Sequence, residues 1–100
     1  MKLTYSEYVD AAYAEVTGPI PSGGVDATER LDQDRTVDRD AAGCIVGYEF
    51  LNARRHGVRL DDLEHRADLA RAFTEAGIRQ RTWSAPLAER RRVRPPSPTG

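Results

Sequence analysis

Residues 40–51 constrain this chain more than any other stretch. Asp40-Ala41-Ala42-Gly43 puts an aspartate at the first position of a type I turn and a glycine where a left-handed backbone is wanted. Cys44-Ile45-Val46-Gly47-Tyr48-Glu49-Phe50-Leu51 follows at once, the strongest strand pattern in the chain, with Val46, Tyr48 and Phe50 on one face. The pattern predicts a β-hairpin. An apolar strand face has to be covered, so the rest of the chain must supply neighbours and a lid.

Other strands are weaker but in phase. Residues 2–5 alternate, with Leu3 and Tyr5 on one side; residues 6–10 break the alternation as a turn; residues 11–16 resume it with Ala12, Ala14 and Val16 together. Residues 17–24 (TGPIPSGG) hold two prolines and three glycines and read as a loop. Residues 25–31 place Val25, Ala27 and Leu31 in phase, Asp32-Gln33-Asp34 is a polar turn, and residues 35–39 are a polar strand. Five short strands in sequence order predict an antiparallel meander. Its apolar face is rich in alanine, so the sheet alone is thinly stabilised and needs a cover.

Residues 52–59 read as a basic connector, and residues 61–76 as an amphipathic helix. Asp61 is the expected N-cap with Glu64 completing a capping box, Asp62 and Arg66 form an i,i+4 pair, and Gly77 stops the helix. Leu60, Leu63, Ala67, Ala70 and Phe73 make one apolar stripe, widened by Leu69, Ala72 and Ala76. The fold class expected is α+β: a small five-stranded meander with one helix packed on it. Residues 1–77 form the domain, and residues 78–100 a basic, Pro/Arg-rich tail of disordered character.

Charge divides unevenly. Residues 1–49 carry four basic against ten acidic side chains, net −6; residues 50–100 carry eleven against six, net +5. Unlike halves favour each other's approach within a chain or between copies. No apolar run approaches the ~18 residues of a membrane span, and the opening MKLTYSEYVD has no signal-peptide core. With a single cysteine, Cys44, no internal disulfide can form. The expected setting is the cytoplasm, without a membrane partner.

Chemistry-bearing residues do not converge in the sequence. His56 and His65 are nine apart, with Cys44 upstream and Asp61 nearby, a spacing that matches neither a helical i,i+4 pair nor a C-x-x-C motif. The acids Asp26, Glu29, Asp32, Asp34, Asp38 and Asp40 could gather on one side of the sheet, yet strand and turn acids ordinarily solubilise. Gly23-Gly24 lacks the strand–turn–helix context of a phosphate loop. No catalytic residue, metal or cofactor is therefore expected, and the chain does not read as an enzyme. Two binding surfaces stand out instead. Leu63, Ala67, Ala70 and Phe73 form a helix face for a protein partner or a second copy. Arg90, Arg91, Arg92 and Arg94, with Trp83 nearby, could neutralise phosphates and stack on a base in a nucleic acid.

Several blocks in order resemble a known family. Met1-Lys2-Leu3-Thr4-Tyr5, Asp10-Ala11-Ala12-Tyr13, the stretch Val37-Asp38-Arg39-Asp40-Ala41-Ala42-Gly43, and Ile45-Val46-Gly47-Tyr48-Glu49-Phe50-Leu51-Asn52-Ala53 are similar to the small bacterial and phage proteins of domain of unknown function 2283. Ser6 stands where that family usually has an acid, Arg39 where an aromatic is common, and the loop at 17–24 is longer. The resemblance covers about the first 53 residues. It implies a compact β-rich domain with no catalytic residues to carry over, and an antitoxin-like role, since members sit beside small toxin-like genes. The functional expectation is a protein–protein interaction module, with a nucleic-acid accessory role for the arginine-rich tail as the alternative.

Overall fold

A computed structural model describes residues 1–82. Strands β1 (Lys2–Ser6), β2 (Ala11–Glu15), β3 (Ala27–Asp32), β4 (Arg35–Arg39) and β5 (Ile45–Leu51) form one antiparallel sheet in the order β1-β2-β5-β4-β3. A single helical turn, α1 (Ala53–His56), follows β5. Then come β6 (Val58–Arg59), helix α2 (Arg66–Glu75) and β7 (Gln80–Arg81), the last pairing in parallel with β6. The α+β class stands.

The order corrects the expected meander. β2 pairs with β5 instead of β3, so the chain leaves β2, passes two strands and returns as an edge. That step spans three inter-strand spacings, about 14 Å. The long Pro/Gly loop at 17–24 supplies the length. Direct pairing on either side then puts Leu3, Ala14, Tyr48 and Val37 in one row across the helix side of the sheet, and Tyr5, Ala12, Phe50 and Arg35 in the next.

The hairpin at 40–43 forms as expected. Gly43 adopts φ 85° and donates its N–H to the Asp40 carbonyl (2.9 Å), while the Asp40 carboxylate accepts from the N–H groups of Ala42 (3.0 Å) and Cys44 (2.9 Å). Just beyond it the register slips: Asp38 faces Gly47 but Arg39 faces Ile45. Val46 is the extra residue of a bulge, and Ile45 instead joins the core cluster beside Tyr48 and Phe50. Val25, Ala27 and Leu31, expected on the core face, are exposed. β3 is an outer strand at the margin of the cover: Glu29 and Asp32 stand on its helix side, and Leu31 at the register break lines a shallow groove with Val37 and Leu63 while staying exposed.

That cover has two parts. Helix α2 buries Leu69 and Phe73, with Phe73 edge-on to Phe50 at 5.0 Å. Leu60 and Leu63, from the turns before it, close over the β4 side. The helix is thus ten residues long, not sixteen, and its N-cap position is His65 in a left-handed conformation, not Asp61. The expected capping box loses to a stronger tertiary demand. Arg35 is buried (5% exposed) on the helix side of the sheet, and its guanidinium takes Asp62 in two hydrogen bonds (2.6 and 3.1 Å), Asp32 (2.9 Å) and the Arg59 carbonyl (3.1 Å). Asp62 consequently pairs with Arg35 and Arg59 and not with Arg66.

Gly77 ends α2 as predicted. With φ 71° it allows Ile78 N–H to reach the Phe73 carbonyl (3.0 Å) and its own N–H to reach Thr74 (3.1 Å), a Schellman closure whose Ile78–Phe73 contact lies in the core. Ile78 is buried and Val58 N–H bonds the Arg79 carbonyl (2.9 Å). The folded body therefore runs on past residue 77 to at least residue 81. The rest of the expected 78–100 basic tail, residues 83–100, lies outside the described residues.

Among the described residues no helix packs on the opposite face of the sheet, which is braced by polar groups. Tyr13 crosses above Gly47 to donate to Asp38 (2.6 Å), and Thr28 donates to the other oxygen of the same carboxylate (2.6 Å). A Cβ on Gly47 would overlap the Tyr13 hydroxyl, so glycine makes this crossing of β5 feasible. Burial, the Asp38 hydrogen bond and the surrounding carboxylates push the Tyr13 hydroxyl well above its ordinary pKa.

Candidate protein-binding surface

The helix face expected to meet a partner is largely spent inside the molecule. Leu63 and Phe73 are buried in the core and Ala70 is half-buried against it, whereas Ala67 is exposed. The four therefore do not form one free surface; α2 covers its own sheet. Ala67 and Ala70 do line a groove of about 350 Å³ with Leu60, Gln80 and Thr82, rimmed by Asp61, Arg66 and Arg81. Gln80 holds one wall by donating to the Ala70 carbonyl (2.8 Å) and the Thr74 hydroxyl (2.9 Å).

A second groove, about 280 Å³, lies on the other flank of α2, between the helix and the sheet edge at β1. Its floor is Leu3 and Tyr5, which period-two alternation turns toward the helix. Its wall is Ala72 and Ala76, small enough to leave the space open, with Glu75 at the rim and Met1 at one end. Tyr5 is held in place from two sides. Its hydroxyl donates to Asp10 (2.7 Å), and the Arg54 guanidinium lies 5.0 Å from the ring centroid.

Asp10 organises this end of the sheet. It sits in the left-handed region (φ 53°), which a short polar side chain tolerates, and its carboxylate accepts the N–H groups of Arg54 (2.8 Å) and Arg55 (3.1 Å) at the start of α1. Those bonds, the Arg54 one foremost, hold the Asp10 carboxyl below the usual range against partial burial, while burial and the adjoining carboxylate raise Tyr5. Asp34 does the same work from the β3–β4 turn. It accepts from Asn52 (3.0 Å) and lies 2.8 Å from His56 Nδ1. Burial pushes the Asp34 carboxyl up, but these two partners outweigh it and leave the group below its ordinary value.

The remaining chemistry-bearing residues are dispersed. The His56 ring is oriented by Asp34 and 42% exposed; His65 is spent on the entry to α2; Cys44 is exposed beside the 40–43 hairpin, at the other end of β5. Glu29 and Asp32 point to the helix side, Asp38 to the open side, and Asp34 and Asp40 occupy turns, so the acids do not gather. Among the described residues no cluster of three or more His, Cys, Asp or Glu is placed to hold a metal ion, and no helix is long and apolar enough to cross a membrane. Trp83, Arg90, Arg91, Arg92 and Arg94 lie outside the described residues.

Sequence reasoning placed Leu3 and Tyr5 on the core face but did not identify them as the floor of a groove. The alternation was visible; that β1 would be an edge, with helix alanines opposite, depends on strand order. The residues that carry the family resemblance are ones that hold the fold: Asp10 at α1, Tyr13 and Asp38 across Gly47, Asp40 and Gly43 in the hairpin, Asn52 on Asp34. No family model, curated protein or solved structure matches the chain.

Proposed function

We propose that this chain is a small cytoplasmic protein–protein interaction module without catalysis of its own, either self-associating or antitoxin-like, and akin to the domain of unknown function 2283 proteins. The observation that carries this reading is the β1 edge: a regular strand with no partner on its outer side among the described residues, and an apolar groove beside it that the chain's own helix leaves open. The ordered sequence blocks support the kinship, and the lone exposed thiol supports a reducing compartment.

The test is light scattering of the purified chain over a concentration series, joined to co-expression with the product of the neighbouring gene. A mass that rises with concentration, or a copurified neighbour whose binding slows amide exchange in β1, is the expected result. A strict monomer that takes up no neighbour contradicts the reading. Binding to random duplex DNA across a salt series separates it from a nucleic-acid role for Arg90, Arg91, Arg92 and Arg94.

A further inference from the structure

We propose that the outer edge of β1 pairs with β1 of a second copy of this chain, antiparallel about Thr4, joining the two sheets into one. This inference rests on the interaction-module reading and names its partner. In an antiparallel strand pair the side chains opposite one another share a face. With Thr4 on the two-fold axis, Leu3 of each copy lies opposite Tyr5 of the other, so the apolar row on the helix side continues across the junction. The two grooves floored by these residues, one from each copy, merge into a single layer beneath Ala72 and Ala76.

The polar side of β1 is equally self-complementary. Thr4 meets Thr4, and Lys2 of each copy lies opposite Ser6 of the other, next to Glu7, so the only lysine in the chain approaches an exposed carboxylate twice over. Residues 2–6 contain no proline and no left-handed backbone, and their register with β2 is unbroken, so the strand carries no bulge, and among the described residues no strand pairs with its outer side. A strand from another protein would have to reproduce this alternation and charge order; a second β1 supplies both by symmetry.

Closure gives the arrangement its end point. Among the described residues, pairing through β1 leaves only the two β3 strands as outer edges of the joined sheet. Each carries a register break at Leu31 and the charges of Glu29, Arg30 and Asp32. The assembly stops at two copies, as an isologous contact does. Two five-residue strands and their grooves make a contact below the ~1,200 Å² of standard stable interfaces, so the dimer is concentration-dependent.

Cysteine scanning in the full chain tests this. In a Cys44→Ser background, Thr4→Cys puts two thiols opposite each other across the axis, with Cβ atoms about 4.5–5.5 Å apart. Thr28→Cys places the same change on the exposed β3 edge as the control. In an oxidising glutathione buffer the Thr4→Cys protein is expected to convert to a disulfide-linked dimer while the Thr28→Cys protein stays monomeric, both having the unchanged far-ultraviolet circular dichroism of the parent. Equal cross-linking of both, or of neither, overturns the β1 pairing. If the parent chain nevertheless self-associates or captures its neighbour, only the assignment of the edge has failed; if it does neither, the interaction reading falls with it.

Discussion

The two edges of the sheet are treated differently. β3 is irregular and charged: its register breaks at Leu31, Glu29 and Asp32 stand with Leu31 on its helix side, and Arg30 folds back onto the Asp32 and Gln33 carbonyls (3.1 and 2.9 Å). β1 is regular, alternates cleanly and faces a groove. The clasps under them differ too. The β3 side is tied to the cover through buried Arg35 and its two carboxylates, whereas the β1 side is held by apolar packing of α2 and the Tyr5–Asp10 bond. An edge that is bulged and charged resists pairing, and an edge left straight and apolar on one side invites it. The difference teaches that the chain blunts one edge and leaves the other unblunted, as the proposed contact through β1 requires.

The largest expected effect breaks both sides at once. Phe73→Ala removes the ring packed edge-on to Phe50 and fully buried at 0% exposure; unfolding in urea should show a loss of about 3–5 kcal/mol. Arg35→Ala attacks the β3 side alone. It leaves Asp32 and Asp62 facing each other without their cation, and we expect about 2–3 kcal/mol by the same assay. That is less than for a fully buried pair, because the two carboxylates are 40% and 39% exposed and regain water.

Acid sharpens the contrast. Asp10, Asp32, Asp34 and Asp62 all have folded pKa values below the ordinary carboxylate value: Asp10 mainly through the Arg54 N–H and Asp62 through Arg35. In Asp32 and Asp34, burial is opposed and outweighed by Arg35 in the first and by Asn52 with His56 in the second. Depressed values stabilise the fold fully above the unfolded value of about 3.9, and that contribution is lost as pH falls through the folded values. The melting temperature should be level from about pH 7 to 5 and drop below about pH 4. Three of the four groups serve the β3–β4 side, so β3 amides should lose exchange protection before those of β1. The smallest effect is Tyr5→Phe, which removes the bond to Asp10; urea unfolding should show a slight loss of stability, without change in the β3 strand.

Much of this architecture was legible in the residues. Period-two alternation located all five strands of the sheet, Asp40 and Gly43 announced the hairpin, and Gly77 announced the end of the helix. What was hidden depends on contacts between distant residues. The place of β5 beside β2 is set by a loop whose composition reveals flexibility but not destination. The later start of the helix goes with Arg35, which looked like an ordinary polar strand residue until its burial drew Asp62 away from Arg66. A single-residue bulge put Ile45, where Val46 was expected, in the cluster with Tyr48 and Phe50, although Val46 is buried as well. The β1 groove was half visible, in Leu3 and Tyr5; Ala72 and Ala76 looked like a widening of the helix's apolar stripe, and only strand order set them opposite an edge.

Residue-resolved amide exchange at low and high protein concentration probes the asymmetry of the two edges most directly. The account predicts that the outward amides of β1 become more protected as concentration rises, while those of β3 exchange at the same rate throughout. Equal, concentration-independent exchange at both edges, or protection that grows at β3 instead, would contradict it.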